Sequence, residues 1–171
     1  FGIESGSDRV MRDILCRPQR RRHALAAFQV LRAAGVNTRA YVMVGLPTET
    51  QDEVLATFSL CGEARVDTVR PAFFQPYPGT PLHDLCQKLD LLRPDFVTEG
   101  YPQRSPLRWP PEHAFFLEKV MGIHPFMLSA TLPEAAARDR YAPLVARALA
   151  VPEDEWCDPT FRAALRRTAL E

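Results

Sequence analysis

The sequence predicts an α/β fold built on a parallel β-sheet. Three apolar segments with strand character begin near residues 1, 36 and 68, so successive strands start 35 and 32 residues apart. Helical patterns fill the first two intervals, and this spacing is typical of βαβ units with right-handed crossovers. A short motif rich in glycine or proline follows each predicted strand. Loops at the carboxyl ends of parallel strands commonly hold ligands.

The first unit is predicted to contain a strand end at residues 1–5, a short helix at residues 8–14 and a longer helix from near Pro18 to Gly35. Proline is favoured in the first helical turn, and glycine is favoured just past the last turn. Arginines at positions 20–22 indicate a solvated face rather than a nucleic-acid surface, because the helix has no further basic or aromatic run. Its predicted inner stripe is Leu25, Phe28 and Leu31.

The second unit is predicted to begin with a strand at residues 36–44. The near-continuous apolar run at residues 40–44 indicates a strand covered on both faces, as in a parallel sheet. Thr50 and Glu53 match a capping box for the helix that follows. The inner stripe of that helix is predicted to be Val54, Leu55, Phe58 and Cys61.

The third strand is predicted at residues 67–74. Pro71 favours an edge or bulged position for it, because proline lacks the N–H that a sheet ladder needs. Thr80 and Pro81 predict the start of a short helix that ends near Leu89.

The second half is less periodic than the first. A proline-rich connector is predicted at residues 93–111, followed by helices at 112–122, 133–150 and 159–169. First-turn positions are predicted for Pro111, Pro133 and Pro159, with Asp158 as the cap of the last helix. The domain prediction is therefore three βα units in residues 1–90 and a connector with a helical extension in residues 91–171.

Composition excludes several classes of protein. The 21 Lys and Arg residues equal the 21 Asp and Glu residues, so no net field favours a nucleic acid or a membrane as partner. No apolar run approaches the roughly 18 residues of a membrane-spanning helix. Scattered cysteines indicate a reducing, cytoplasmic setting and small core or semi-buried residues rather than ligands, so no metal site is expected: Cys16, Cys61, Cys86 and Cys157. The four histidines are also far apart in the sequence.

The first and second motifs carry groups that suit a nucleoside. Glu4 ends the first strand, where its carboxylate could accept hydrogen bonds from a ribose diol, assisted by Ser5 and Ser7. The alternative is a carboxylate that only favours the following helix N-terminus. Gly45 permits close backbone approach to a planar ring such as adenine, and the alternative is an ordinary tight turn.

Three further features remain open between binding and structure. Arg17 could clamp a carboxylate with its guanidinium fork, or form a surface ion pair. Phe73, Phe74 and Gln75 could line the wall of a ring-binding site. The Gly6-Ser7 pair gives a weak indication of a phosphate cradle at a helix N-terminus.

The three motifs, in this order and at this spacing, resemble one known family. GIESGSDRVMRDILCR, YVMVGLPTET and FFQPYPGTPL together resemble the C-terminal half of a radical S-adenosylmethionine (SAM) enzyme. The resemblance is closest to the branch that often carries an N-terminal cobalamin-binding domain. It covers about residues 1–90, and residues 91–171 match no known pattern.

The resemblance implies a fold and a set of cofactor-binding residues. The fold is a partial TIM-like (βα)6 barrel with parallel strands, of which this chain would supply the last three units before its helical tail. Glu4 and Ser5 would meet the ribose of SAM, and Arg17 would approach its methionyl carboxylate. Val44 and Gly45 would contact the adenine through their backbone. The wall beyond the adenine would be formed by Phe73, Phe74 and Gln75.

The resemblance also implies cofactors that this chain cannot hold by itself. Such enzymes use a [4Fe–4S] cluster to cleave SAM to a 5′-deoxyadenosyl radical, with an electron donor such as flavodoxin or ferredoxin and, in one branch, cobalamin. The CxxxCxxC cluster motif is absent, and the chain starts at Phe1 rather than Met. We therefore expect a C-terminal fragment without catalytic residues of its own, inactive alone, of an enzyme whose substrate stays open. The alternatives are a non-catalytic binding module and an unrelated α/β-barrel enzyme.

Overall fold

Three parallel strands form one sheet in the order β1–β2–β3 in the computed structural model. The strands are β1 (Gly2–Glu4), β2 (Arg39–Val44) and β3 (Thr68–Phe73). The structure describes residues 1–95, 97, 100, 102 and 104–170. The predicted α/β class with a parallel sheet is confirmed. The helices are α1 (Arg21–Ala33), α2 (Gln51–Glu63), α3 (Pro81–Lys88), α4 (Pro111–Thr131), α5 (Ala135–Ala150), α6 (Glu153–Cys157) and α7 (Pro159–Leu170).

One face of the sheet carries the main hydrophobic core. Ala40, Val42 and Val44 of β2 point into this core, where they join Phe28 of α1 and Phe58 of α2. The prediction that β2 is covered on both faces is wrong. The alternate residues Arg39 and Tyr41 are exposed, Tyr41 by 51%, because the helices of this chain that share the core lie on the other side. The apolar run at residues 40–44 therefore predicted helices on both faces of β2, whereas helices of this chain cover one face.

Pro71 lies in an edge strand, as its sequence position predicts. The backbone N–H groups of Thr68 and Phe74 donate toward β2, to Thr38 and Val44. Because N–H direction alternates along a strand, the nitrogen of Pro71 faces away from β2. The proline therefore removes no donor from the β2 ladder, and it blunts the outer edge of β3 against pairing with another strand.

The helices of the first half follow their predicted order, with two shifts. The predicted helix at residues 8–14 contains a π-helical turn, Val10–Ile14, in which the N–H of Leu15 donates to the C=O of Val10. Helix α1 begins at Arg21 rather than near Pro18. Gly35 follows α1 with a φ of +70°, as expected for a glycine that ends a helix. The Thr50–Glu53 capping box is also present at α2.

Helix α4 differs most from its prediction, because it continues beyond residue 122 to Thr131 and includes Pro125. A proline inside a helix leaves the C=O four residues earlier without its N–H donor. Here that carbonyl belongs to Met121, and Nδ1 of His124 lies 3.0 Å from it. The histidine side chain replaces the missing backbone donor, so the helix passes through the proline.

The other elements of the second half lie close to their predicted positions. Thr80 caps α3 by accepting a hydrogen bond from the N–H of His83. Asp158 accepts a hydrogen bond of 2.8 Å from the N–H of Thr160 at the start of α7. Helix α5 begins at Ala135, so Pro133 precedes the helix instead of lying in its first turn. Over the described residues, no helix is long and apolar enough to cross a membrane.

Helix α4 packs on the first half of the chain and also anchors α5. Phe116, Leu117 and Val120 of α4 belong to the main core together with the β2 and α2 residues. Lys119 is buried, and its ammonium donates to the C=O groups of Leu149 and Val151 at the end of α5. Burial lowers the pKa of Lys119. The buried cation therefore satisfies carbonyls that have no partner within α5.

Lys119→Met is expected to lower the free energy of unfolding by about 1–2 kcal/mol. The substitution keeps most of the apolar stem but leaves two carbonyls without their charged donor. Urea unfolding followed by circular dichroism measures the change. Lys88→Met, at an exposed position in α3, is the matched control and should stay within about 0.5 kcal/mol of the parent. Equal losses in the two variants would contradict a capping role for Lys119.

Candidate functional site

The three sequence motifs meet at one edge of the sheet. Glu4 pairs in register with Val42, and the N–H of Phe74 donates to the C=O of Val44 over 2.9 Å. Because the three strands are parallel, the loops that follow Glu4, Val44 and Phe73 all leave from their carboxyl ends. The structure thus brings the motifs together as the sequence spacing predicted.

The first loop uses its polar groups to hold helix α2. The N–H of Gly6 donates to Oγ1 of Thr57 over 2.8 Å, and Oγ of Ser5 lies 3.5 Å from the same atom. The N–H of Ser7 donates to Oγ of Ser5. Both N–H groups of the suggested Gly6-Ser7 phosphate cradle are therefore engaged inside the protein. Ser5 is buried in this network and does not face an open ribose position.

Arg9 joins the first loop to the second. Its guanidinium donates to both carboxylate oxygens of Glu53, at 2.8 and 2.6 Å, and to the C=O of Thr48 at 2.9 Å. Ser7 donates its hydroxyl to the same carboxylate over 2.7 Å. The Arg9 hydrogen bonds lower the pKa of Glu53 to about 2, although partial burial acts against them. No local spacing rule pairs positions 9 and 53, so only the fold could reveal this contact.

Glu49 lies buried beneath the second loop and supports its backbone. Its Oε2 accepts hydrogen bonds from the N–H groups of Gly45, at 2.8 Å, and Leu46, at 3.2 Å. Its Oε1 is buried without a partner among the described residues. Burial raises the pKa of Glu49 to about 8, against the lowering effect of the two N–H donors. Glu49 therefore supports the backbone of the second loop.

Gly45 is covered by the second half of the chain. Its φ is +75°, which favours glycine. A Cβ placed on it would lie 3.1 Å from Cδ1 of Leu117, 3.4 Å from Oγ of Ser105 and 3.6 Å from Nε1 of Trp109. The close approach predicted for Gly45 is therefore made by protein side chains, while its N–H is held by Glu49.

Glu4 and Arg17 are predicted site residues whose side chains pair directly with each other. Nη1 of Arg17 lies 3.3 Å from Oε1 of Glu4, with side-chain exposures of 50% for Arg17 and 19% for Glu4. Glu4 has a φ of +65°, in the left-handed region that few non-glycine residues occupy. The two side chains form a partly exposed ion pair at the end of β1. Exposed pairs of this kind contribute only about 0–1 kcal/mol, so a ligand could replace either partner at small cost.

The predicted wall of Phe73, Phe74 and Gln75 does not form a single surface. Phe73 and Val44 point into the main core. Phe74 lies in a second apolar cluster at the carboxyl edge of the sheet. Gln75 donates through Nε2 to the C=O of Val97 over 3.5 Å. The side chains of Phe73 and Phe74 leave opposite sides of β3 because strand side chains alternate. The other members of the second cluster are Val10, Leu46, Cys86 and Leu107.

The described part of the chain offers no ligand set for a metal or an iron–sulfur cluster. No group of three or more His, Cys, Asp or Glu side chains is close enough to hold an ion there. Cys61 and Cys86 are buried, which raises their pKa values to about 12 and 11, and Cys16 and Cys157 are exposed. The expectation that all four are core or semi-buried residues therefore holds for Cys61 and Cys86 and is wrong for Cys16 and Cys157.

Comparison with known proteins gives matches over about half of the chain. The sequence is 34% identical over 85 residues to a putative methylthiotransferase of Methanocaldococcus jannaschii, covering 50% of this chain and 19% of that protein. It is 35% identical over 89 residues to a tRNA-2-methylthio-N(6)-dimethylallyladenosine synthase of Thermus thermophilus, covering 51% and 19%. An uncharacterized methyltransferase of Pyrococcus horikoshii is 28% identical over 92 residues, covering 54% and 20%.

These relatives confirm the resemblance to radical SAM enzymes that the three motifs indicated. No protein-family profile matches the chain. The matched region spans only about a fifth of the length of these curated relatives. One relative's name includes a tRNA, so the expected absence of a nucleic-acid partner gains no support from the comparisons.

Proposed function

We propose that this sequence supplies part of the SAM site of a radical SAM enzyme of the methylthiotransferase type. The observation that carries the proposal is the Glu4–Arg17 pair, which lies half-open at the sheet edge where the three motifs converge. The relatives match the chain over a length close to that of the motif-bearing half. In this proposal, residues 1–90 are the last three units of a partial (βα)6 barrel, and residues 91–171 are an extension of it.

Glu4 suits the ribose of SAM, and Arg17 suits its methionyl carboxylate. The Glu4 carboxylate can accept hydrogen bonds from both hydroxyls of a ribose. The Arg17 guanidinium can bind the methionyl carboxylate with two parallel N–H donors. Because each group neutralises the other across 3.3 Å, ligand binding would exchange one ion pair for two ligand contacts. Oε1 of Glu4 lies beside Arg17 and also 2.4 Å from the position that a Cβ on Gly2 would occupy.

The other predicted contacts act as support in this proposal. The N–H of Gly45 is held by Glu49, and the N–H of Phe74 is part of the sheet ladder, so neither is a free donor for adenine. Val44, Phe73 and Phe74 are buried and form the floor beneath the loops. Ser5 fixes the loop that follows Glu4. Gln75 remains at the rim as a polar side chain, with its amide hydrogen-bonded to Val97.

The chemistry of such an enzyme would depend on groups that the described residues do not provide. SAM, when reductively cleaved, supplies a 5′-deoxyadenosyl radical that abstracts hydrogen from a substrate. We propose that the cluster ligands and the contact with flavodoxin or ferredoxin lie in other parts of a longer cytoplasmic protein, since this chain matches only a fifth of its relatives. None of the comparisons supports a cobalamin domain. The substrate proposed from the relatives' printed names is a transfer RNA.

Glu4→Gln and Arg17→Met are each expected to weaken SAM binding about 10- to 100-fold in the natural protein that contains this sequence. Each variant removes one charged hydrogen-bonding partner of the cofactor, worth about 1.5–3 kcal/mol. Equilibrium dialysis with labelled SAM, on protein reconstituted anaerobically with iron and sulfide, measures the affinity. Release of 5′-deoxyadenosine measures turnover.

Arg32→Met is the matched control, because Arg32 is exposed in α1 and is not among the residues that line the cavity beside Arg17. Its SAM affinity should equal that of the parent protein. Unchanged binding in both Glu4→Gln and Arg17→Met would refute the proposed site. Tight SAM binding without release of 5′-deoxyadenosine would instead support the alternative of a non-catalytic binding module.

A further inference from the structure

A cavity of about 340 Å³ lies between the connector and the first half of helix α4. Its lining combines three arginines, one tryptophan and one carboxylate. None of these residues belongs to the three sequence motifs or to the proposed SAM site. The residues that matter for its chemistry are Arg93, Arg104, Arg108, Trp109 and Glu118.

Backbone pairing within the connector builds the cavity. Leu92 and Leu107 form an antiparallel bridge. The N–H of Arg93 donates to the C=O of Pro106, and the N–H of Arg108 donates to the C=O of Leu91. These bonds place Arg93 on one strand and Arg108 on the other. Leu107 is fully buried in the second apolar cluster, so the pair is anchored to the sheet edge.

Trp109 is held in a fixed orientation at the cavity wall. Its indole N–H donates to Oγ of Ser105 over 3.1 Å. The ring of His113 lies against it, with centroids 4.3 Å apart and planes inclined by 34°. A half-buried, oriented indole that lines a cavity is suited to stacking against a planar ring, which costs little entropy because the tryptophan is already immobilised.

Arg104 and Arg108 each pair with an exposed aspartate and can turn to an anionic ligand, whereas Arg93 holds Asp95 through two parallel N–H donors. Arg93 and Arg104 share the carboxylate of Asp95, and Arg108 pairs with Asp90. Both aspartates are more than half exposed, at 53% and 85%. Exposed pairs contribute about 0–1 kcal/mol each, whereas a phosphate can accept several guanidinium donors at once. Neither aspartate is among the residues that line the cavity, and Glu118 is the acidic group in the part of the lining that the structure describes.

The cavity adjoins the candidate site. Ser105 and Trp109 contribute to it and also lie within 4 Å of the Cβ position of Gly45, at the carboxyl end of β2. A ligand held there would therefore lie beside the rim where the three motifs meet. An aromatic ring, guanidinium groups and one hydrogen-bond acceptor match a nucleotide's base, its phosphate and its amino or hydroxyl groups.

We propose that this cavity binds one nucleotide of a single-stranded RNA segment, with the base on Trp109 and the phosphates on Arg104 and Arg108. Glu118 accepts a hydrogen bond from an amino or 2′-hydroxyl group of the same nucleotide. The inference deepens the proposed function, on which it rests for the choice of RNA over a free nucleotide. It assigns a substrate-binding role to the connector, in which no sequence motif indicates a function.

The test uses the full chain without SAM, iron or sulfide, so its outcome is separate from that of SAM binding. Fluorescence anisotropy of an end-labelled RNA of about ten nucleotides measures affinity, with AMP as the competing free nucleotide. Arg104→Gln and Arg108→Gln are each expected to weaken RNA binding about 5- to 10-fold. Each should also reduce the slope of log affinity against log salt by about 0.7, as for one lost phosphate contact on a single strand.

Arg32→Gln, an exposed arginine of α1 outside the cavity, is the matched control and should bind RNA like the parent. RNA should also shield Trp109 from iodide quenching, while Trp156 is buried in the core and serves as an internal reference. Absence of RNA binding, or binding that both arginine variants retain, would overturn the proposal. Competition by AMP at the same concentration as RNA would assign the cavity to a free nucleotide and overturn the RNA assignment.

Discussion

Gly6→Ala is expected to lower the free energy of unfolding by about 3 kcal/mol. A Cβ at position 6 would lie 2.4 Å from the C=O oxygen of Ala56 and 2.6 Å from Cα of Thr57, both backbone atoms of helix α2. Backbone inside a packed helix cannot yield, so the first loop would have to move away from α2. That movement would break the 2.8 Å hydrogen bond from the Gly6 N–H to Thr57. Urea unfolding, followed by circular dichroism, measures the loss.

Gly2→Ala is the matched control for this steric effect. A Cβ at Gly2 would also meet an atom at 2.4 Å, but that atom is Oε1 of Glu4, at the end of a flexible side chain. The carboxylate can turn aside, so the expected loss is below about 1 kcal/mol. Equal stabilities of the two variants would show that the loop does not depend on its close approach to α2.

The Gly6 result also bears on the proposed cofactor site. Gly6 lies two residues after Glu4, and the loop between them is fixed by Ser5 and Thr57. A shift of this loop would carry the Glu4 carboxylate away from Arg17. We therefore expect Gly6→Ala to reduce SAM affinity in the natural protein even under conditions where the variant remains folded.

The stability of the parent chain is expected to fall as pH rises from about 5 to 8, and Glu49→Gln is expected to remove that fall. Burial raises the pKa of Glu49 from 4.5 to about 8 in the folded state. Between these two values the folded chain keeps the proton and the unfolded chain releases it, so the free energy of unfolding decreases as pH rises. With about 1.4 kcal/mol per pKa unit and some relaxation of the buried site, the decrease is about 2–4 kcal/mol.

The Glu49→Gln variant isolates this contribution. Glutamine keeps an oxygen that can accept from the N–H groups of Gly45 and Leu46, but it does not titrate. The measurement is the difference in unfolding free energy between parent and variant at pH 5, 6, 7 and 8. Histidines cancel in this difference: burial lowers the pKa values of His113 and His124, which acts in the opposite direction in both proteins. Parallel profiles for parent and variant would contradict a buried, protonated Glu49.

Glu53 provides a contrast within the same pair of loops. Its folded pKa is lowered to about 2, mainly by its hydrogen bonds with Arg9. The stability it contributes is present above pH 4.5 and lost as pH falls toward 2, outside the range in which Glu49 titrates. Two carboxylates four residues apart thus differ in charge at neutral pH because one is paired with a guanidinium and the other is enclosed.

Local rules predicted the elements whose causes are local. The capping box at Thr50, the left-handed Gly35 and the Asp158 cap each depend on residues within a few positions of one another. Helix α4 is longer than predicted because the side chain of His124 replaces the backbone donor that Pro125 lacks. This hydrogen bond depends on the rotamer of one side chain, which the hydrophobic pattern of the sequence does not predict.

The sequence by itself determined the parallel strand–helix repeat and the meeting of its three motifs at one sheet edge, because apolar spacing and crossover handedness decide those features. Only the tertiary structure decided which motif residues are free. It engaged Ser5 and Gly6 with α2 and paired Glu4 with Arg17. It also placed Trp109 over Gly45. Glu4 and Arg17 are 13 positions apart, and the other contacts join residues more than 50 positions apart. Their energies depend on burial and approach distance, which exist only once the chain is folded.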